Sequence, residues 1–210
     1  MYQILIVDDH ALTRMGVVQF IQHVLGGAKV TEAETAQAAL NLVRKQSFDL
    51  MFLDIDLPDR SGLDILADVK LLRPKMPVVF LSGMVDYAFA SQAMRGGASG
   101  YVEKGCPPEE LRKALTQVLG GGRYISGPMA EQLALQVTQP GQARPEETLS
   151  SREFQVLRQL GAGKTITEIG ANLCLSVKTV STYRSRLLEK LNLKSTNELV
   201  RYAVKQKLVE

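Results

Sequence analysis

Leu50-Met51-Phe52-Leu53 is a continuous apolar run that leads directly into Asp54, and a strand with no polar alternation has to be covered on both faces. That requirement selects a parallel sheet with helices packed on either side. In sheets of this kind ligands bind just beyond the carboxyl ends of the strands, which makes an acid delivered there a candidate site. A single Asp after a strand is also a common turn former or helix cap, so the neighbouring strand ends have to decide.

Gln3-Ile4-Leu5-Ile6-Val7 reads as a first strand and ends in Asp8-Asp9-His10. A helix follows over 11–25, with Leu12, Met15, Val18, Ile21 and Leu25 at helical spacing and Gly26-Gly27 as its stop. A short strand over 29–33, a helix over 36–45, the Asp54 strand and a helix over 63–72 continue the alternation. Pro77 to Leu81 is a further buried strand ending in Ser82; a helix over 87–95, a strand over 100–103 ending in Lys104, and a helix from Pro108 to Leu119 complete five β/α units. The fold class is therefore α/β, a flavodoxin-like five-stranded parallel sheet. Asp8, Asp9, Asp54, Ser82 and Lys104 then gather at one edge of the sheet. Three crowded carboxylates repel one another unless a cation sits among them. Mg²⁺ suits that place because it takes hard oxygen ligands and leaves positions open for phosphate. With a lysine and a hydroxyl added, the set describes a site where a phosphoryl group rests on Asp54.

Composition bears on the rest of the chain through charge. Residues 1–138 hold 13 Lys/Arg against 15 Asp/Glu, net −2, whereas residues 139–210 hold 12 against 7, net +5. A basic balance confined to one compact segment is what phosphate neutralisation on nucleic acid demands. Apolar residues make up 45% and charged ones 22%, as in ordinary globular proteins. No secretory signal or membrane-length apolar stretch is evident, so a cytoplasmic location without membrane attachment is expected. Cys106 and Cys174 stand apart from any Cys/His pattern, which gives no support to a structural zinc site or a disulfide framework.

Over roughly residues 1–123 the chain resembles the receiver domain of two-component response regulators, through Val7-Asp8-Asp9-His10, Phe52-Leu53-Asp54-Ile55-Asp56-Leu57-Pro58, Leu81-Ser82-Gly83 and Val102-Glu103-Lys104. The resemblance implies that Asp54 accepts phosphoryl from a phosphohistidine on a sensor histidine kinase. It further implies that Asp8, Asp9, Asp54 and, through its backbone carbonyl, Asp56 serve the metal, and that Ser82 and Tyr101 form a switch pair beside Lys104. Two departures stand out: Asp56 is an acid close to the phosphate path, and Lys104 is followed by Gly105 where many receivers carry proline, so a trans peptide is expected there.

Beyond Gly120-Gly121-Gly122 a helical pattern over Met129 to Val137 leads into Gln139 to Glu147, a polar stretch with two prolines that reads as part of a linker. The boundaries expected are a receiver over 1–123, a linker over 124–147 and a second domain over 148–210. In the second domain Ser150 or Ser151 can cap a helix to about Leu160, a start that a Ser150–Glu153 capping box supports, Ile166–Leu173 is a short helix, and a third helix runs from Ser176 or Val177 to Leu191. Two short helices joined tightly, the second rich in Arg and Lys, read as helix-turn-helix. On the third helix Val180, Leu187, Leu188 and Leu191 face inward, and Lys178, Thr179, Ser181, Thr182, Ser185 and Arg186 are the candidate contacts to double-stranded DNA. Residues 149–208 resemble the LuxR-type DNA-binding domain, through Leu149-Ser150-Ser151-Arg152-Glu153, Ile166-Thr167-Glu168-Ile169-Gly170 and Leu175 to Arg184. Together the halves are similar to the NarL/FixJ-type subfamily, which implies homodimerisation on activation, a last helix (Thr196–Lys207) that supports it, and transcription control rather than enzymatic turnover. Tyr183 replaces the subfamily's usual histidine and Ser181 its frequent lysine.

Other readings of the same residues are an aspartyl-nucleophile phosphohydrolase, since Asp54-Ile55-Asp56 resembles the haloacid-dehalogenase signature, and a regulator whose DNA binding needs no phosphorylation. Gly161-Ala162-Gly163-Lys164-Thr165 falls short of a phosphate-binding loop, because Arg158 stands where the motif needs glycine and a helix precedes it instead of a strand.

Overall fold

A computed structural model describes residues 1–83, 87–131, 145, 149–206 and 208–209. The chain divides into two compact units, Met1–Pro140 and Gly141–Glu210. Of the expected linker over 124–147, residues 132–144 and 146–147 lie outside the described residues; of the helix expected over 129–137, residues up to 131 are helical and the remainder lies outside them.

The first unit is a parallel sheet of six strands in the order β2-β1-β3-β4-β5-β6. Its strands are β1 (Gln3–Val7), β2 (Lys29–Ala33), β3 (Leu50–Asp54), β4 (Val78–Ser82), β5 (Gly100–Glu103) and β6 (Tyr124–Ile125). The five expected strands form, and the two-residue β6 extends the sheet beside β5, pairing Gly100 with Tyr124. Helices α1 (Ala11–Leu25), α2 (Ala36–Lys45), α3 (Gly62–Leu72), α4 (Tyr87–Arg95) and α5 (Pro108–Leu119) cross between the strands. β3 and β4 are buried at every position, as the apolar runs required. Ile4, Ile6, Phe52, Val79 and Leu81 share one core with Val17, Ile21, Leu115 and Val118 from α1 and α5. The strand order reverses at β1, which lies between β2 and β3. Asp8 and Asp54 therefore leave adjacent strands at the topological switch point.

The apolar spacing expected on α1 does not define its buried face. Leu12 is 84% and Met15 57% exposed, while Arg14, Val17 and Ile21 are buried. A three-residue repeat falls about 60° short of a full turn at each step of a 3.6-residue helix, so positions 12 and 21 end on opposite sides. The inward stripe passes through Arg14 instead, at the cost of leaving two apolar side chains in water. Gly26 closes the helix at φ 56°, its N–H donating to the Gln22 carbonyl.

The second unit is helical: α6 (Ser151–Gly161), α7 (Ile166–Asn172), α8 (Val177–Lys190) and α9 (Thr196–Lys205). Ser150, Thr165, Ser176 and Ser195 each cap the helix that follows. The Ser150–Glu153 capping box is present as expected. Phe154, Leu157, Ile169, Val180, Leu187, Leu199 and Ala203 are buried. Glu153, almost fully buried, also accepts a 2.7 Å bond from Lys190, tying the start of α6 to the end of α8. The α7–α8 turn is tight because Gly170 lets the chain fold back. A Cβ there would sit 2.8 Å from the Leu175 carbonyl oxygen, and the turn passes Cys174 at φ 53°.

Candidate functional site

At the carboxyl edge of the sheet Asp54 is 1% and Asp8 0% exposed. Lys104, just past β5, places Nζ 2.7 Å from Asp54 Oδ2 and 2.8 Å from Asp8 Oδ2. The first contact is a hydrogen bond. The second is an ion pair without hydrogen-bond alignment, so Asp8 Oδ2 keeps unused acceptor capacity. Asp54 Oδ1 accepts the Asp56 backbone N–H at 3.3 Å, and Asp8 Oδ1 accepts the His10 N–H at 2.8 Å. His10 Nδ1 lies 2.7 Å from Asp9 Oδ1. One ligand atom from each of Asp8, Asp9, His10 and Asp54 falls within 4.8 Å of the others.

Burial pushes the Asp54 carboxyl up to about 7, Lys104 opposes that rise, and the Asp8 charge adds to it. Burial alone would lower Lys104, but Asp54 and Asp8 together hold it above the ordinary lysine value. One ammonium shared by two buried carboxylates leaves an excess negative charge facing a third. A hard divalent cation fits the three carboxylates of this set, because they offer oxygens and one of those has acceptor capacity to spare.

The expected site residues fall into two groups. Asp8, Asp9, Asp54 and Lys104 converge, Ser82 is buried at the end of β4 with its carbonyl accepting the Lys104 N–H at 2.6 Å, and Tyr101 is 1% exposed within β5. The Asp56 side chain is exposed, and its carboxylate is not part of the cluster. Lys104–Gly105 is trans as expected, and Gly105 adopts φ 88°, a conformation closed to proline. Three contributors were not assigned a role from the sequence. His10 was visible only as a neighbour of two acids. Gly62 begins α3 against the end of β3, where a Cβ would overlap the Asp54 carbonyl oxygen. Arg14 interrupts an otherwise apolar helix face and binds the Asp8 carbonyl; a cation at a core-facing position was the available signal.

On α8 the side chains of Lys178, Thr182, Ser185 and Arg186 are exposed, and those of Thr179 and Ser181 half-buried. Val180 and Leu187 are fully buried, which turns the polar set outward. Thr182 Oγ1 donates to the Lys178 carbonyl at 3.0 Å and Ser185 Oγ to that of Ser181 at 3.1 Å. The Arg186 guanidinium carbon stands 6.0 Å from the centroid of the Tyr183 ring, at the outer limit of a cation–π contact.

Residues 4–116 match the response regulator receiver domain, and residues 147–203 match the bacterial regulatory proteins of the luxR family. The chain belongs to the response regulators. It is 38% identical to the response regulator GacA of Pseudomonas aeruginosa, across 100% of this chain and 99% of that one. It is 32% identical to the response regulator UvrY of Escherichia coli, across 99% and 96%. Among solved structures, a LuxR-family two-component response regulator from Aurantimonas sp. superposes with a TM-score of 0.61 at 30% identity, over 66% of this chain and 99% of that one. RcsB of Salmonella enterica serovar Typhimurium, bound to promoter rprA, superposes with a TM-score of 0.64 at 24% identity, over 96% and 97%. As a NarL/FixJ-type response regulator the chain is a DNA-binding transcription regulator, controlled in general by phosphorylation, and its family members are not enzymes. This removes the phosphohydrolase reading of Asp54-Ile55-Asp56. No helix among the described residues of the regulator is long and apolar enough to cross a membrane.

Proposed function

We propose that Asp54 is the phosphoacceptor of a cytoplasmic two-component system. The observation that carries this reading is Lys104 held between two buried carboxylates at the switch point, 2.7 Å from Asp54. An Asp54 oxygen attacks the phosphorus of a kinase phosphohistidine; the P–N bond breaks, and its electron pair stays with the imidazole. Asp8, Asp9 and Asp54, with Asp56 through its backbone, would hold Mg²⁺, which supplies charge neutralisation for the transferring phosphoryl oxygens. Lys104 balances the charge that arrives, roughly −1.5 to −2 on phosphorylation. Ser82 offers a hydroxyl to the phosphoryl group, and the packing of Tyr101 reports the change to the surface near α4 and β5.

The readout is DNA affinity. Lys178, Thr179, Ser181, Thr182, Ser185 and Arg186 enter a major groove, the cations meeting phosphates and the short polar side chains meeting base edges. A homodimer formed on activation reads two half-sites, with the linker over 124–147 joining receiver 1–123 to DNA-binding domain 148–210. Shifting a population from 1:99 to 99:1 takes about 5.5 kcal/mol of differential stabilisation. The deciding experiment treats the regulator with acetyl phosphate and Mg²⁺, then records intact mass, oligomeric state and DNA affinity, with Asp54→Ala as control. One added phosphoryl on wild type alone, with dimerisation, is the expected result. Equal gain in DNA affinity by Asp54→Ala would refute the reading and leave phosphorylation-independent binding.

A further inference from the structure

We propose that Arg14 is a positioning residue of the acid cluster, setting its affinity for the divalent cation without touching cation or phosphoryl group; this rests on the reading of the cluster as a Mg²⁺ site. The Arg14 side chain is 9% exposed. A buried guanidinium needs partners for its donors, and here each comes from a different point of the fold. Nη1 donates to the Asp8 backbone carbonyl at 2.7 Å, Nε to Glu32 Oε2 at 3.1 Å, and Nη2 to Glu34 Oε1 at 2.6 Å.

The contact to Asp8 does more than neutralise charge. The Asp8 N–H donates to the Ala33 carbonyl at 3.1 Å, so with Arg14 on its carbonyl this residue is fixed from both sides. The peptide so fixed is the one that leads into Asp9. The Asp9 side chain is 36% exposed and pairs with His10; its aim into the cluster depends on the backbone beneath it. A guanidinium fork suits this task because it can hold three acceptors in a set geometry, which a compact ammonium does not reproduce. The charge balance is also arranged. Arg14, Glu32 and Glu34 sum to −1, so the clamp brings no net positive charge beneath a cation site.

A staple that merely joined α1 to β1 and β2 would change folding stability and leave Mg²⁺ affinity alone. The test is calorimetric titration of Mg²⁺ into the full-length regulator and its variants, together with the rate of phosphorylation by acetyl phosphate across Mg²⁺ concentration. For Arg14→Lys the expected result is Mg²⁺ binding weakened about tenfold, the usual scale for a residue that orients a ligand from behind. The rate at saturating Mg²⁺ stays within about twofold of wild type. Arg14→Met removes every donor and leaves Glu32 and Glu34 in place, so its change of charge favours Mg²⁺ and a loss of affinity has to come from geometry; it is expected to weaken Mg²⁺ similarly, and it decides the matter by the same threshold should Arg14→Lys fail to fold. Mg²⁺ affinity within twofold of wild type overturns the proposal, whatever the thermal midpoint does. Asp9→Asn separates the two layers. If it abolishes Mg²⁺ binding while the Arg14 clamp variants bind normally, only the clamp is wrong, and if it binds Mg²⁺ like wild type the cation site itself is wrong and the clamp with it.

Discussion

Lys104 serves two buried carboxylates at once, and the site keeps its balance only while that ammonium is present. Lys104→Met leaves Asp54 and Asp8 without it, and removes the charge that meets the incoming phosphoryl oxygens. Losses at such electrostatic positions run to about 100-fold, and that drop is expected in the rate of acetyl phosphate labelling followed by intact mass. Two glycines make a matched pair of tests. At Gly62 a Cβ would overlap the Asp54 carbonyl oxygen, so Gly62→Ala is expected to cost the receiver about 1–3 kcal/mol by overpacking and to slow labelling. Gly16 lies inside α1 with nothing within 4 Å of a Cβ. Gly16→Ala is expected to stabilise by about 0.5–1 kcal/mol, because alanine suits a helix interior and glycine does not. Denaturant unfolding of both variants gives the two signs.

Among the elements, α6 and α8 are joined through Glu153. Burial works against its charge, yet the Lys190 bond and the Ser150 N–H hold its carboxyl below the ordinary glutamate value. A depressed carboxylate contributes stability that is fully present above its unfolded value of 4.5 and is lost as pH falls through the lower folded value. The helical unit is therefore expected to lose stability below about pH 4.5, and Glu153→Gln to flatten that slope while lowering stability near pH 7 by about 1–2 kcal/mol. Thermal melts against pH check both. On α8 the exposed hydroxyls donate to carbonyls one turn back, so base contact by Thr182 or Ser185 requires those bonds to be exchanged. The Lys178 side chain carries no such constraint among the described residues. Lys178→Ala is expected to weaken binding uniformly across DNA sequences and to reduce the slope of log affinity against log salt by about 1, measured by fluorescence anisotropy at several salt concentrations.

For the molecule as a whole, two compact units with net charges of −2 and +5 over residues 1–138 and 139–210 divide the labour between a phosphoryl switch and a polyanion contact. On the proposed reading of the acid cluster Mg²⁺ binds the first unit, and at 100 times its dissociation constant the gain there is about 2.7 kcal/mol. Scanning calorimetry is accordingly expected to show one transition rising with Mg²⁺ and another unmoved, and neither rising in Asp9→Asn. Much of this was legible in residue order. Continuous apolar runs at 50–53 and 78–81 demanded a sheet covered on both faces, and the residues closing those runs marked the edge where the acid cluster gathers, because strand ends are local features that parallel pairing collects. The capping box at Ser150 was equally local. What needed the tertiary structure were the relations that periodicity does not encode. The turn of α1 that buries Arg14 and exposes Leu12 is decided by acceptors at Asp8, Glu32 and Glu34, which lie 6 to 20 residues away and converge only when β1 and β2 pair. The close approach of Gly62 to Asp54, and the sharing of one lysine by two acids across 50 residues or more of chain, exist only once the strands stand side by side.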